Sequence, residues 1–296
     1  MKSTIKKSLP DKIFMGTVFT LLLIFSLLII LPLGWVIYAS LNDFYSYLLN
    51  PLSFPKNPQF VNYARAFNGL SISVWDNESA QIIEYDIFSM FGYSVIIASV
   101  NSFLGVVSPA LLGYATAKYE FKGRDLLISI NLLVMTLPIY GNLPSQLVVY
   151  KSLGLYDNLI PYLLVGHTGF GMSFLIFRGA FKSMPNEYRE AASIDGAGQL
   201  TVMMIYVRLL MPLFVAYLML GFIGAWNNYS VNVIWLPSYP NLAYGIYVFQ
   251  TYATIQGFTT PEILAGFIIV AIPAILLWSI AQRFVGDRIV AGSLKG

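Results

Sequence analysis

NEYREAASIDGAGQ, residues 186–199, is a polar island in a chain of 296 residues that is 57% hydrophobic. Long apolar runs flank it, at about 158–181 and 203–226. Charged residues make up only 10% of the chain, against roughly 25% in soluble globular domains. A chain this apolar, with several long apolar runs, reads as an integral membrane protein. The island is then a structured loop between two membrane spans. Glu187 and Glu190 stand where the first turn of a helix carries partial positive charge. Ala191 and Ala192 favour helix and present almost no side chain. Pro185 suits a first helical turn, with Ser183 or Asn186 as its cap. Gly196 and Gly198 stop or bend the chain. The segment is expected to form a short helix–Gly–helix hairpin with a smooth alanine face.

Working outward, a spanning helix needs about 20 mostly apolar residues. Six stretches qualify, at about 13–40, 88–117, 126–150, 158–181, 203–226 and 262–285. The third is interrupted by Pro138, Gly141 and Pro144. Broken helices survive in a membrane only under cover of protein or beside a water-filled cavity, so this span is expected to face the bundle interior. The first run is too long for the ~7–15-residue core of a signal peptide and is read as an uncleaved span. The fold class expected is therefore an all-α integral membrane protein of six transmembrane helices. Small-residue pairs such as Ala98/Ser102 and Gly113/Ala117 would permit close helix packing.

Orientation follows from the 17 Lys and Arg residues. With both termini in the cytoplasm, only Lys56, Arg65 and Lys151 fall outside. The hairpin, about 182–202, is then cytoplasmic, and a long extracytoplasmic loop covers about 41–87. Asn-x-Ser patterns occur at 77–79 and 228–230. The whole chain, 1–296, is read as one transmembrane domain.

Other chemistry is excluded by what is missing. There is no cysteine, hence no disulfide or thiolate site. No basic block suggests nucleic acid, and no Walker loop or G-x-S-x-G elbow is present. The single histidine, His167 in LVGHTGFG, has no acidic neighbour in sequence. It is read as a neutral, hydrogen-bonded packing residue. An ion-coupled carrier would need acids within its spans, and none of the 14 Asp and Glu residues lies clearly mid-span.

EAASIDGAG resembles the EAA-x-x-DGA loop of the membrane subunits of ABC importers. It is most similar to the carbohydrate-uptake branch and its MalG-type maltose-permease subunits. The likeness continues in LPIYGNLPSQLVVYKSLGLYDNLIPYLL (137–164), FKSMPNEYREAA (181–192), AWNNY (225–229) and AGSLKG (291–296). What the resemblance implies is a type I ABC importer permease bundle with no enzymatic activity of its own. Two cytoplasmic ATPase subunits would bind the ATP and Mg, leaving no cofactor in this chain. A second, different permease subunit, an extracytoplasmic solute-binding protein, a carbohydrate substrate and the surrounding membrane lipid would complete the system; another polar solute is the alternative cargo. The positions matching the loop are Glu190, Ala191, Ala192, Asp195, Gly196 and Ala197, with Glu187 beside them. They would dock the ATPase, the Ala pair by close packing and the acids by polar anchoring. Pro212 falls 15 positions after Ala197, longer than in such subunits by a little less than one turn of ~3.6 residues.

Asn, Gln and aromatic groups within the spans are the candidates for a sugar path, since hydroxyls pair with amides and sugar CH faces lie on rings. They are Tyr93, Asn101, Asn131, Asn142, Gln146, Trp226, Asn227 and Asn228.

Overall fold

The computed structural model describes residues 9–76, 80–137, 141–167 and 169–293. The pattern NES at 77–79, Pro138 of the third span and the last three residues of AGSLKG lie outside them. The described chain falls into two compact units, 1–69 with 249–269, and 70–248 with 270–296.

The first unit begins with α1 (Leu9–Ser40), which buries only Ala39 and Ser40 of its own chain. A helix apolar on every side needs lipid or another chain around it. Thr17, Thr20 and Ser26 each donate to the carbonyl four residues back, as hydrocarbon requires. The end of α1 is fastened rather than frayed. Asn62, on α3 (Val61–Gly69) after the short α2 (Phe44–Leu49), donates to the carbonyls of Ser40 at 2.8 Å and Asn42 at 2.9 Å. Also in this unit, the Glu262 carboxylate accepts from the Thr259 amide at 2.6 Å and pairs with Arg65 at 2.6 Å. The first bond is half of a capping box, set in the sequence TTPE at 259–262.

The second unit opens with a hairpin of β1 (Ile72–Asp76) and β2 (Gln81–Tyr85), antiparallel with Val74 opposite Ile83. This corrects the all-α expectation. The two segments, ISVWD and QIIEY, are rich in β-branched and aromatic residues and favour a pleated strand. Asp86 then caps α4 (Ile87–Lys118), accepting from the amide and hydroxyl of Ser89. Those bonds hold its carboxyl below the usual carboxylate range.

The expected third and fourth spans are not continuous helices. The third is divided into α5 (Arg124–Thr136) and α6 (Leu143–Ser152). The fourth is divided into α7 (Leu159–Val165) and α8 (Met172–Ser183). The break in the fourth runs through LVGHTGFG, where Gly169 and Gly171 both have positive φ. A Cβ on Gly169 would sit 3.2 Å from the Ser108 carbonyl of α4, so the broken strand of chain lies directly on that helix. The freed amide of Gly171 is taken up by Asn131 Oδ1 at 2.6 Å.

After α8 come α9 (Glu187–Ile194), α10 (Gln199–Leu209) and α11 (Met211–Trp226). The last two meet at a bend of 74°. The chain continues through α12 (Ser230–Ile234) and α13 (Leu242–Tyr252) to α14 (Thr260–Ser293). Among the described residues three helices are long and apolar enough to cross a membrane, or four if the bent pair counts as one span. The six stretches expected, the third of them as a broken helix, correspond here to unbroken helices only in part, because of the breaks and the bend.

The heart of the second unit is α4 packed along α8 and α11. Small residues make the contacts close. A Cβ on Gly113 would lie 2.9 Å from the Arg178 amide, and one on Gly221 would lie 3.3 Å from Ser102. Phe174, Phe177 and Phe181 on α8 are fully buried, and Phe177 stacks at a tilt on Phe214 and Tyr217 of α11.

Candidate functional site

The polar island folds as α9, a glycine turn and α10. The turn is specific. Gly196, at φ +74°, donates to the Ser193 carbonyl at 3.1 Å, and Ala197 donates to the Ala192 carbonyl at 2.9 Å. These two bonds are the Schellman pair that ends a helix on a left-handed residue. Gly198 has an ordinary φ of −70° and starts α10. The start of α9 differs from expectation. Neither Ser183 nor Asn186 caps it. Ser183 donates to the Ala180 carbonyl, and the Asn186 side chain accepts from Lys118 instead. Pro185 precedes the helix rather than standing in its first turn.

The two alanines face opposite ways. Ala192 is buried in its own chain, packed in one cluster with Tyr114, Phe181, Val202 and Tyr206. Ala191 is exposed, as are Glu187, Glu190, Asp195 and Gly196. Ala197 is half-buried. The outer face of the hairpin also shows Ile194, 86% exposed, and Leu200, 71% exposed. Large aliphatic side chains this bare, beside carboxylates and a small alanine, make an apolar and acidic patch suited to a protein partner.

Beneath the patch is a socket that sequence reasoning missed. Lys118, the last residue of α4, donates to the Met184 carbonyl at 2.7 Å and to Asn186 Oδ1 at 3.1 Å. Its ammonium also lies 4.6 Å from the centre of the Tyr206 ring. Arg189 of α9 donates back to the Lys118 carbonyl at 3.1 Å. Tyr206 OH donates to the Pro185 carbonyl at 3.0 Å, and Tyr119 OH to Gln199 Oε1 at 2.6 Å. The sequence signal was a Lys ending a long apolar run, which together with Lys122 and Arg124 marks only orientation.

Each of the eight path candidates has its own surroundings. Trp226 is buried against Phe222 and Phe91 and lines a cavity of about 760 Å³ with Phe103, Met219 and Trp278. The lining is apolar apart from Ser99 and Ser102. Asn131 is buried and spent on Gly171. Asn101 and Asn227 donate to carbonyls of their own helices, those of Ile97 and Ile223. Tyr93 meets Tyr239 and Tyr85 edge to face. Asn228 accepts from the Ser230 amide, while Asn142 and Gln146 are exposed at the start of α6. His167 is half-buried, and its Nε2 is buried without a partner among the described residues. Among the described residues no three His, Asp or Glu side chains gather to hold a metal.

Residues 109–290, which hold the hairpin, Lys118 and the bent span, match the pattern of the binding-protein-dependent transport system inner membrane components. The chain belongs to that family. It is therefore an inner membrane protein and a transport component rather than an enzyme. Family members serve importers supplied by a solute-binding protein and driven by an ATPase. The chain is 25% identical to a diacetylchitobiose uptake system permease protein of Streptomyces coelicolor, over 96% of this chain and 90% of that protein. It is 26% identical to a galactooligosaccharides transport system permease protein of Bacillus subtilis, over 94% of each. Its fold is similar to that of a chain in the crystal structure of a bacterial ABC transporter involved in the import of the acidic polysaccharide alginate. The TM-score is 0.69 at 22% identity, over 95% of this chain and 99% of that one.

Proposed function

We propose that this chain is the membrane-spanning subunit of an ATP-driven importer of a sugar or oligosaccharide, and that its hairpin takes up force from a separate ATPase. The observation that carries the reading is the hairpin itself: a glycine-closed helical turn whose inner alanine locks it to the bundle while Ala191, Ile194 and Leu200 stand bare outside. Carbohydrate as cargo is supported by the relatives, which are named for uptake of diacetylchitobiose and galactooligosaccharides.

In this reading the chain works as a single permease domain with six crossings. The two divided helices, α5/α6 and α7/α8, and the bent pair α10/α11 each count as one crossing. Both termini and the hairpin lie in the cytoplasm, and 41–87 lies outside. Two ATPase subunits and a second, different permease subunit complete the complex. The exposed acids Glu187, Glu190 and Asp195 anchor the ATPase by polar contacts. Ala191, not its buried neighbour, gives the close approach. Solute passes beside the divided third span and the bent fifth, since irregular backbone inside a membrane is either covered by protein or borders a water-filled cavity.

The test is co-purification of the ATPase with the Ile194→Asp variant. A carboxylate in the centre of an apolar contact should remove most of the bound ATPase while membrane insertion stays normal. Undiminished ATPase would contradict the docking role.

A further inference from the structure

Resting on the proposed importer reading, we propose that Lys118 is a positioning residue that gears the hairpin to α4, so that force on the hairpin enters the bundle through this long helix and reaches the helices to which the hairpin is covalently joined by way of it.

The hairpin has two covalent outlets and one non-covalent one. On its C-terminal side α10 runs into α11 through a bend of 74°. At the bend the amides of both Leu213 and Phe214 turn to the single carbonyl of Leu210, beside Pro212, which has no amide to give. A bend of this size transmits rotation less directly than an unbroken helix. On its N-terminal side the link to α8 is the short turn Met184-Pro185-Asn186, which has no side-chain cap of its own. Two polar groups of that turn, the Met184 carbonyl and the Asn186 side chain, are held by Lys118, and the Pro185 carbonyl by Tyr206.

The grip of α4 is the one made of charged contacts. Lys118 is buried, 9% exposed, and its ammonium is engaged by two oxygens and the Tyr206 ring. Three directed contacts on one charged group fix its position, and ion–dipole bonds in a buried setting are stronger than neutral ones. Arg189 closes the ring by donating to the Lys118 carbonyl. That bond also satisfies one of the carbonyls left open at the end of α4. The tie therefore runs both ways: a cation of α4 holds the turn before α9, and a cation of α9 holds the end of α4. Since α4 packs along α8 and α11 through glycine contacts, its displacement is handed to both.

The experiment uses the full complex in liposomes and reads solute transported per ATP hydrolysed, alongside ATPase co-purification. Lys118→Met keeps the chain length and removes the charge and donors. It should retain bound ATPase and hydrolysis while transport per ATP falls about 5-fold or more, the low end of coupling between distinct sites. Lys118→Arg should recover more than half of the lost ratio. A purely structural role would lower assembly and transport together and leave the ratio unchanged, and an unchanged ratio overturns the proposal. Asn186→Ala, which removes one of the two oxygens that hold the Lys118 ammonium, covers the case in which Lys118→Met does not accumulate. Its ratio should fall about 2-fold, in keeping with the loss of one hydrogen bond, and no fall again overturns the proposal. Ile194→Asp in the same assay separates the two readings. If it sheds the ATPase while the Lys118→Met ratio is normal, only the gearing fails. If it sheds nothing and remains coupled, the docking role of the hairpin fails.

Discussion

The Ala197 amide lies 2.9 Å from the Ala192 carbonyl, across a turn whose apex, Gly196, sits at φ +74°. That bond ties the buried alanine of α9 to the start of the returning helix. The outer face of α9 is thereby fixed relative to the core cluster that holds Ala192.

Gly196→Ala should cost roughly 1–2 kcal/mol, the price of a Cβ in left-handed backbone. No atom stands within 4 Å of the added carbon, so the cost is conformational alone. Gly198→Ala, at φ −70° with equally open surroundings, carries no left-handed strain and loses only the preference for Gly over Ala at a helix N-cap, so it should cost less. Thermal unfolding of the purified variants in detergent checks the pair. Equal behaviour at the two positions would contradict the assigned turn.

Gly113→Ala should separate α4 from α8. Its Cβ would meet the Arg178 amide at 2.9 Å and the Phe177 Cβ at 3.1 Å, and backbone cannot step aside as a flexible side chain can. Overpacking of this kind costs about 1–3 kcal/mol. Gly221→Ala, meeting Ser102 at 3.3 Å, should cost less. The same unfolding measurement ranks them.

Asn131→Leu should leave the half-buried Gly171 amide without its 2.6 Å acceptor, a loss of at most about 1–3 kcal/mol, the cost for a fully buried donor. Asn101→Leu gives up only a bond to its own helix, at the Ile97 carbonyl, and should change stability little. If instead Asn101→Leu abolishes uptake at normal stability, Asn101 belongs to the solute path.

Orientation can be read cleanly because the chain has no cysteine. Lys56→Cys and Lys151→Cys should react with a membrane-impermeant thiol reagent added outside intact cells. Lys122→Cys should react only after the membrane is opened. The reverse pattern would invert the topology proposed.

Much of this architecture was legible in residue chemistry. Gly196 announced the turn, and the Pro and Gly residues of 138–144 announced the divided third span. The break in the fourth span was not legible, because LVGHTGFG is apolar enough to pass as continuous helix. Hydropathy reports what a segment can face, not whether its backbone bonds run unbroken. The strands at 72–76 and 81–85 were lost for a related reason, being five-residue segments inside a long polar loop. In the hairpin, composition showed two alanines but not that one faces inward. That depends on which side of α9 meets Tyr114 and Phe181. The socket was the least legible part, because Lys118 and Met184 are 66 positions apart and meet only once α4 and α8 have packed.

The central claim is that the hairpin couples this subunit to ATP hydrolysis. The direct measurement is solute-stimulated ATPase activity of the reconstituted complex, wild type against Glu190→Ala combined with Gly196→Pro, with solute and its binding protein present. The account predicts loss of stimulation with normal membrane insertion of the variant. Stimulation and uptake equal to wild type would reduce the hairpin to a connector and contradict the account.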